Sequence, residues 1–147
     1  MIKQVSVSEA YGLQQHGSAY IDVRSTREFA LGHPVGAVNV PILEPDATTG
    51  AMAPNADFVR VMQSTFPADA RLLIGCQVGG RAVAAAQLLE SVGFEDLTVV
   101  RGGYHGARDP LGRVTDPGWV NSDLPVAKRA RAGETYRDLL SKADATK

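Results

Sequence analysis

The stretch RLLIGCQVGGRAVAAAQLLESV, residues 71–92, decides the fold. It opens on a compact apolar strand from Arg71 to Gly75. It turns through Cys76, Gln77, Val78, Gly79 and Gly80, then runs from Arg81 to Val92 as an Ala-rich segment that strongly favours helix. Ala85, Leu88, Leu89 and Val92 make one apolar face, and Gly93 suits the left-handed residue that ends a helix. A strand passing directly into a helix predicts a crossover unit, with the next strand, Leu97 to Val100, parallel to the first.

The same alternation extends toward residue 1. Ile2 to Val5 is a short alternating strand candidate, followed by a capping box at Ser6 and Glu9 and a helix from about Ser8 to His16 that stops at Gly17. Ala19 to Val23 reads as a buried strand, and Ser25 and Glu28 form a second capping box before a short helix ending near Gly32. Ala37 to Val40 is a further strand candidate, and residues 42–54 read as a loop. Asn55 is the expected cap of a helix whose Phe58, Val61, Met62 and Thr65 share a face. Past Val100 the chain is rich in Gly and Pro as far as Pro125, with Trp119 as the expected anchor. A terminal helix is expected from Glu134 to Lys142, with a fraying tail after it. The fold class is therefore α/β, a mostly parallel sheet with helices on both faces, in which ligands sit beyond the carboxyl ends of the strands.

Composition narrows the function. The chain has 147 residues and a net charge of -1, with 44% hydrophobic and 21% charged residues. That length suits one domain. The balance gives no electrostatic footing for nucleic acid or a polybasic membrane surface. The first residues lack a signal-peptide pattern, and no apolar run approaches the ~20 residues of a bilayer span. The expectation is a cytoplasmic, reduced protein without a metal, since His16, His33 and His105 are scattered away from any Cys or carboxylate partner.

Cys76 is the sole cysteine. It falls between strand and helix, where two glycines let the backbone aim N–H groups inward and the helix adds its positive end. Both favour thiolate over thiol. A lone cysteine is more often a small buried hydrophobe. Packing alone, however, does not need two glycines and an arginine beside it, so a nucleophile is the expected reading.

Cys-x-x-Gly-x-Arg after an apolar strand, with Asp22-Val-Arg24 early in the chain, resembles the single-domain rhodaneses, or thiosulfate sulfurtransferases. Tyr20 to Pro41, with its Asp-Val-Arg, Glu-Phe, Gly-His and Asn-Val-Pro elements, is similar to that family's early block, although His33-Pro34-Val35-Gly36 swaps the usual order there. Val99 to Gly103 resembles its strand and Gly-Gly turn, and Trp119 with Asp123 to Pro125 resembles its closing motif. The segment from His105 to Gly118 is longer than usual. The resemblance implies a rhodanese-like domain over 1–126, with 127–147 as an extension.

It also implies a catalytic Cys76 that takes a sulfane sulfur from a small anionic donor such as thiosulfate. The sulfur then passes to cyanide, a thiol or a protein acceptor, with no cofactor. Gln77, Val78, Gly79, Gly80 and Arg81 would form the substrate-binding loop. Arg81 either attracts the donor or braces the loop. Asp22 and Arg24 support the site, Asp22 in a structural role, and Arg24 is expected to pair with Glu28 at the helix start. His105, Arg108 and Arg113 either fringe the site or lie in a solvated loop. The run KRARAG, 128–133, reads as solvated surface.

Rival readings are a sulfur-relay or protein-binding module, and a Cys-dependent phosphatase or arsenate reductase. The loop here is Cys-x4-Arg, tighter than the Cys-x5-Arg of a phosphatase, and a reductase needs a second cysteine. The chain is expected to be a monomer or a homodimer.

Overall fold

The computed structural model describes residues 2–78 and 80–145. In chain order its elements are β1 (Ile2–Val5), α1 (Val7–Gln15), β2 (Ala19–Asp22), α2 (Thr26–Leu31), β3 (His33–Pro34) and β4 (Val38–Asn39). There follow β5 (Leu43–Pro45), β6 (Met52–Pro54), α3 (Phe58–Thr65), β7 (Arg71–Gly75), α4 (Gly80–Ser91) and β8 (Asp96–Val100). The last are β9 (Ala107–Arg108), β10 (Val114–Asp116), β11 (Val126–Ala127) and α5 (Tyr136–Ala145).

Five strands form one sheet in the order β1-β8-β7-β2-β4, and every pair is parallel. Alternate side chains split the core in two. Ile21, Leu72, Ile74, Leu97 and Val99 face α3, α4 and α5. Tyr20, Leu73 and Val100 face α1, α2 and Trp119. This is the expected α/β sheet with helices on both faces. Trp119 is 0% exposed, donates from Nε1 to the Pro125 carbonyl and meets the rings of Tyr11 and Tyr20 edge-on. No described helix is long and apolar enough to cross a membrane.

Both capping boxes form. Ser6 Oγ accepts the Glu9 N–H while Glu9 accepts the Ser6 N–H, and Ser25 and Glu28 repeat the arrangement. They fix where α1 and α2 begin, and so where β2 hands over to α2.

Four expectations need correction. Residues 42–54 form an antiparallel hairpin of β5 and β6, because Asp46 Oδ1 accepts the N–H groups of Thr48 and Thr49 and closes the turn. Asn55 does not cap α3. Asp57 holds the N-cap position without a side-chain bond, and Asn55 Oδ1 takes the Asp57 N–H one step earlier. The buried face of α4 is Ala82, Ala85, Ala86 and Leu89, with Leu88 and Val92 each 38% exposed. Small alanines let the helix backbone settle close on β7 and β8, which turns the bulkier pair outward. The segment read as a fraying tail continues α5 to Ala145, with Leu139 and Ala143 buried against the body and Arg60 Nη1 2.8 Å from Asp144.

Candidate active site

β7 ends at Gly75 beside β2, and the two strands deliver Cys76 and Asp22 to the same edge of the sheet. A Cβ at Gly75 would overlap the Tyr20 hydroxyl, so only glycine lets β7 lie over that ring. Burial, the largest effect, drives the Tyr20 pKa well up, and the hydroxyl stays neutral beneath the loop.

Cys76 is 1% exposed and packs among the apolar side chains between the sheet and α4. Its Sγ nevertheless meets a backbone donor: the Ala82 N–H, in the first turn of α4, lies 3.4 Å away. The sulfur therefore faces the positive end of a helix spanning Gly80–Ser91. Ala82 lies one residue past the predicted loop. Gly79 lies outside the described residues. Val78 is 57% exposed at the tip of the loop.

The loop is held from the opposite side by a turn that follows β8. Tyr104 N–H donates to the Cys76 carbonyl at 2.7 Å, and His105 N–H to the Gln77 carbonyl at 3.0 Å. Gly103 makes this approach, with φ +56° and a position where any Cβ would overlap the Cys76 carbonyl oxygen.

Asp22 and Arg24 are 1% and 2% exposed. Arg24 Nε reaches both Asp22 oxygens at 3.0 and 3.1 Å, and Nη2 reaches Oδ2 at 2.7 Å. Nη2 also donates to the Gly32 carbonyl at 2.7 Å, Nη1 approaches Gln77 Oε1 at 3.4 Å, and the guanidinium stacks 4.3 Å from the Tyr104 ring centroid. Burial acts to lower the Arg24 pKa, but the hydrogen bonds and charge of Asp22 prevail and raise it. Asn39 Nδ2 donates to the Asp22 and Arg24 carbonyls, tying β4 to the same corner.

The expected Arg24–Glu28 pair does not form, because Asp22 already satisfies Arg24. Glu28 instead takes Arg81 in a two-pronged pair at 2.6 and 2.9 Å. Hydrogen bonds from Arg81 are the main reason its pKa falls from 4.5 to about 2. Arg81 thus spends its fork on α2 and braces the loop. His105 lines a cavity of about 400 Å³ beside the loop, shared with Arg24, Gln77 and Tyr104. Arg108 and Arg113 turn inward on their own hairpin, onto the Gly112 carbonyl and Asp109. Among the described residues no group of three His, Cys, Asp or Glu could hold a metal ion.

Asp22, Arg24, Cys76, Gln77 and Arg81 therefore converge, as the sequence suggested. His105 fringes the site, one of the two places the sequence allowed it, whereas Gly103 and Tyr104 were not foreseen as part of it. The one signal for that turn was the Gly102-Gly103 pair after a strand, a mark of close backbone approach.

Similarity to known proteins covers the same region. Residues 6–109 match the rhodanese-like domain family. The chain is 39% identical over 122 residues to thiosulfate sulfurtransferase 16, chloroplastic, of Arabidopsis thaliana, covering 83% of this chain and 90% of that one. It is 37% identical over 128 residues to thiosulfate sulfurtransferase 18 of the same plant, covering 85% and 83%. The crystal structure of Rv0390 from M. tuberculosis superposes with a TM-score of 0.70 at 20% identity, covering 86% of this chain and 98% of that one, which speaks to the fold. The match runs from the cap of α1 through β9 and contains the whole Cys76 loop, so this chain belongs to the rhodanese-like domain family.

Proposed function

We propose that the chain is a sulfurtransferase that carries a sulfane sulfur as a persulfide on Cys76. The observation that carries this reading is the Ala82 N–H aimed at Sγ from the first turn of α4. An amide and a helix end lower the cost of negative charge on sulfur, in the thiolate and in the longer persulfide anion. Relatives named thiosulfate sulfurtransferases support the same assignment.

The chemistry balances without a cofactor. The Cys76 thiolate attacks the outer sulfur of thiosulfate, the S–S bond of the donor breaks, and its electron pair leaves on sulfite. A thiophilic acceptor then attacks the outer sulfur of the persulfide, and Cys76 departs as thiolate. Arg24, Glu28, Lys128 and His105 give the loop-side cavity a polar wall that suits a small polar donor. Leu31, Val120 and Val126, which are 72%, 39% and 39% exposed, give it an apolar rim that fits a thiol carried on a protein. Aryl phosphate hydrolysis is disfavoured, because the Arg81 fork that would grip phosphate is held by Glu28.

Intact-mass measurement after thiosulfate treatment tests the proposal. The wild type gains one sulfur atom that cyanide removes as thiocyanate, and Cys76→Ser gains none. Failure to gain sulfur from thiosulfate, polysulfide and low-molecular-weight persulfides alike would overturn it.

A further inference from the structure

A second cavity, of about 510 Å³, opens between α2 and the segment joining β11 to α5, and Cys76 does not line it. Its size is that of a small-molecule pocket. One wall comes from residues 128–137, which lie beyond the family match.

At its inner side lies His33, 0% exposed and fixed by the pairing of β3 with β11. Nδ1 sits 2.8 Å from the Phe29 carbonyl, and the ring stacks on Phe29 with centroids 3.8 Å apart. A carbonyl only accepts, so Nδ1 carries the proton. Nε2, at the other end of the ring, is buried with no hydrogen-bond partner. In the neutral ring it is a bare acceptor, which proteins rarely leave unmatched.

The rest of the lining is complementary to an anion. Lys128, Arg129 and Arg137 are exposed around the cavity and make no ion pair among the described residues. No carboxylate lines it, and Glu44, just outside, is committed to the N–H and hydroxyl of Thr26.

We propose that this cavity binds a small, flat, mainly apolar carboxylate that also carries a hydroxyl. The hydroxyl donates to His33 Nε2, the ring lies against Phe29 and Tyr136, and the carboxylate meets the three cations. Lys128 also lines the loop-side cavity, but no other lining residue is shared and Cys76 is not among them.

A hydroxynaphthoate serves as the probe, with naphthoate and naphthol each lacking one polar group, titrated into the full chain and followed by amide-resolved NMR. Saturable shifts are expected at Ala30, Ala130 and Tyr136, and none at Gln77. Each truncated probe should bind about five- to tenfold more weakly, the worth of one lost polar contact. His33→Asn keeps a donor near the Phe29 carbonyl but removes Nε2, so it should bring hydroxynaphthoate down to the affinity of naphthoate. Ala30→Trp, on the exposed side of α2, should block all three probes, and Cys76→Ser should bind as wild type does. Equal binding of naphthol and hydroxynaphthoate would remove the anion site. Shifts centred on Gln77 and Tyr104 would assign the ligand to the loop cavity instead. No saturation by any probe, in wild type of unchanged Tm, would end the proposal.

Discussion

Replacing Arg81 by Ala leaves Glu28 partly buried beside Ser25, with its main counter-charge gone. The loss falls on loop geometry more than on charge attraction, because Arg81 points to α2. Sulfur transfer from thiosulfate should drop by about tenfold to a hundredfold, the usual cost of a misplaced reacting group. The pair also has an acid limb. The Glu28 pKa is about 2 in the fold against an ordinary 4.5, so its contribution to stability is complete above pH 4.5 and is lost as pH falls toward 2. Urea midpoints measured across that range should fall more steeply for wild type than for Glu28→Gln. The pairing was hidden in the sequence because Glu28 and Arg81 lie far apart in the chain, whereas Arg24 looked available at helical spacing. Asp22, two residues from Arg24, had already claimed it.

At the scale of elements, the loop after β7 depends on the turn after β8. Gly103→Ala drives a methyl into the Cys76 carbonyl and adds strain at φ +56°. Gly112→Ala, at φ +81° with open space around its Cβ position, adds strain alone. Thermal melts should place Gly112→Ala about 1–2 kcal/mol below wild type with transfer activity intact. Gly103→Ala should lose clearly more stability and most of its activity. Local elements were legible where their determinants sit within a few residues, as in both capping boxes and β7. The β5–β6 hairpin escaped because its Asp46 turn carries few apolar residues to mark the strands. Of the expected α4 face, Ala85 and Leu89 are buried and Leu88 and Val92 are not, because closeness to the sheet selects alanine over bulk.

For the molecule as a whole, α5 is part of the core. Leu139 is 5% exposed and packs with the α3 side of the sheet. Leu139→Ala should cost about 2–3 kcal/mol, read as a lower urea midpoint with an unchanged slope. The sheet class and the meeting of Cys76 with Asp22 at one edge were legible, because strand–helix alternation with parallel pairing allows few arrangements. The docking of α5 was not, since its composition is polar, with Leu139 and Ala143 buried and Tyr136 and Leu140 only partly so.

The sheet order also dictates a sequence of events during synthesis. β1 pairs with β8 alone, so Ile2–Val5 is made long before its neighbour Asp96–Val100 exists. A nascent chain can join β2, β7 and their helices while that first strand waits unpaired on the ribosome. Lys3 and Gln4, exposed on the finished edge, keep the waiting segment polar enough to resist pairing with another chain.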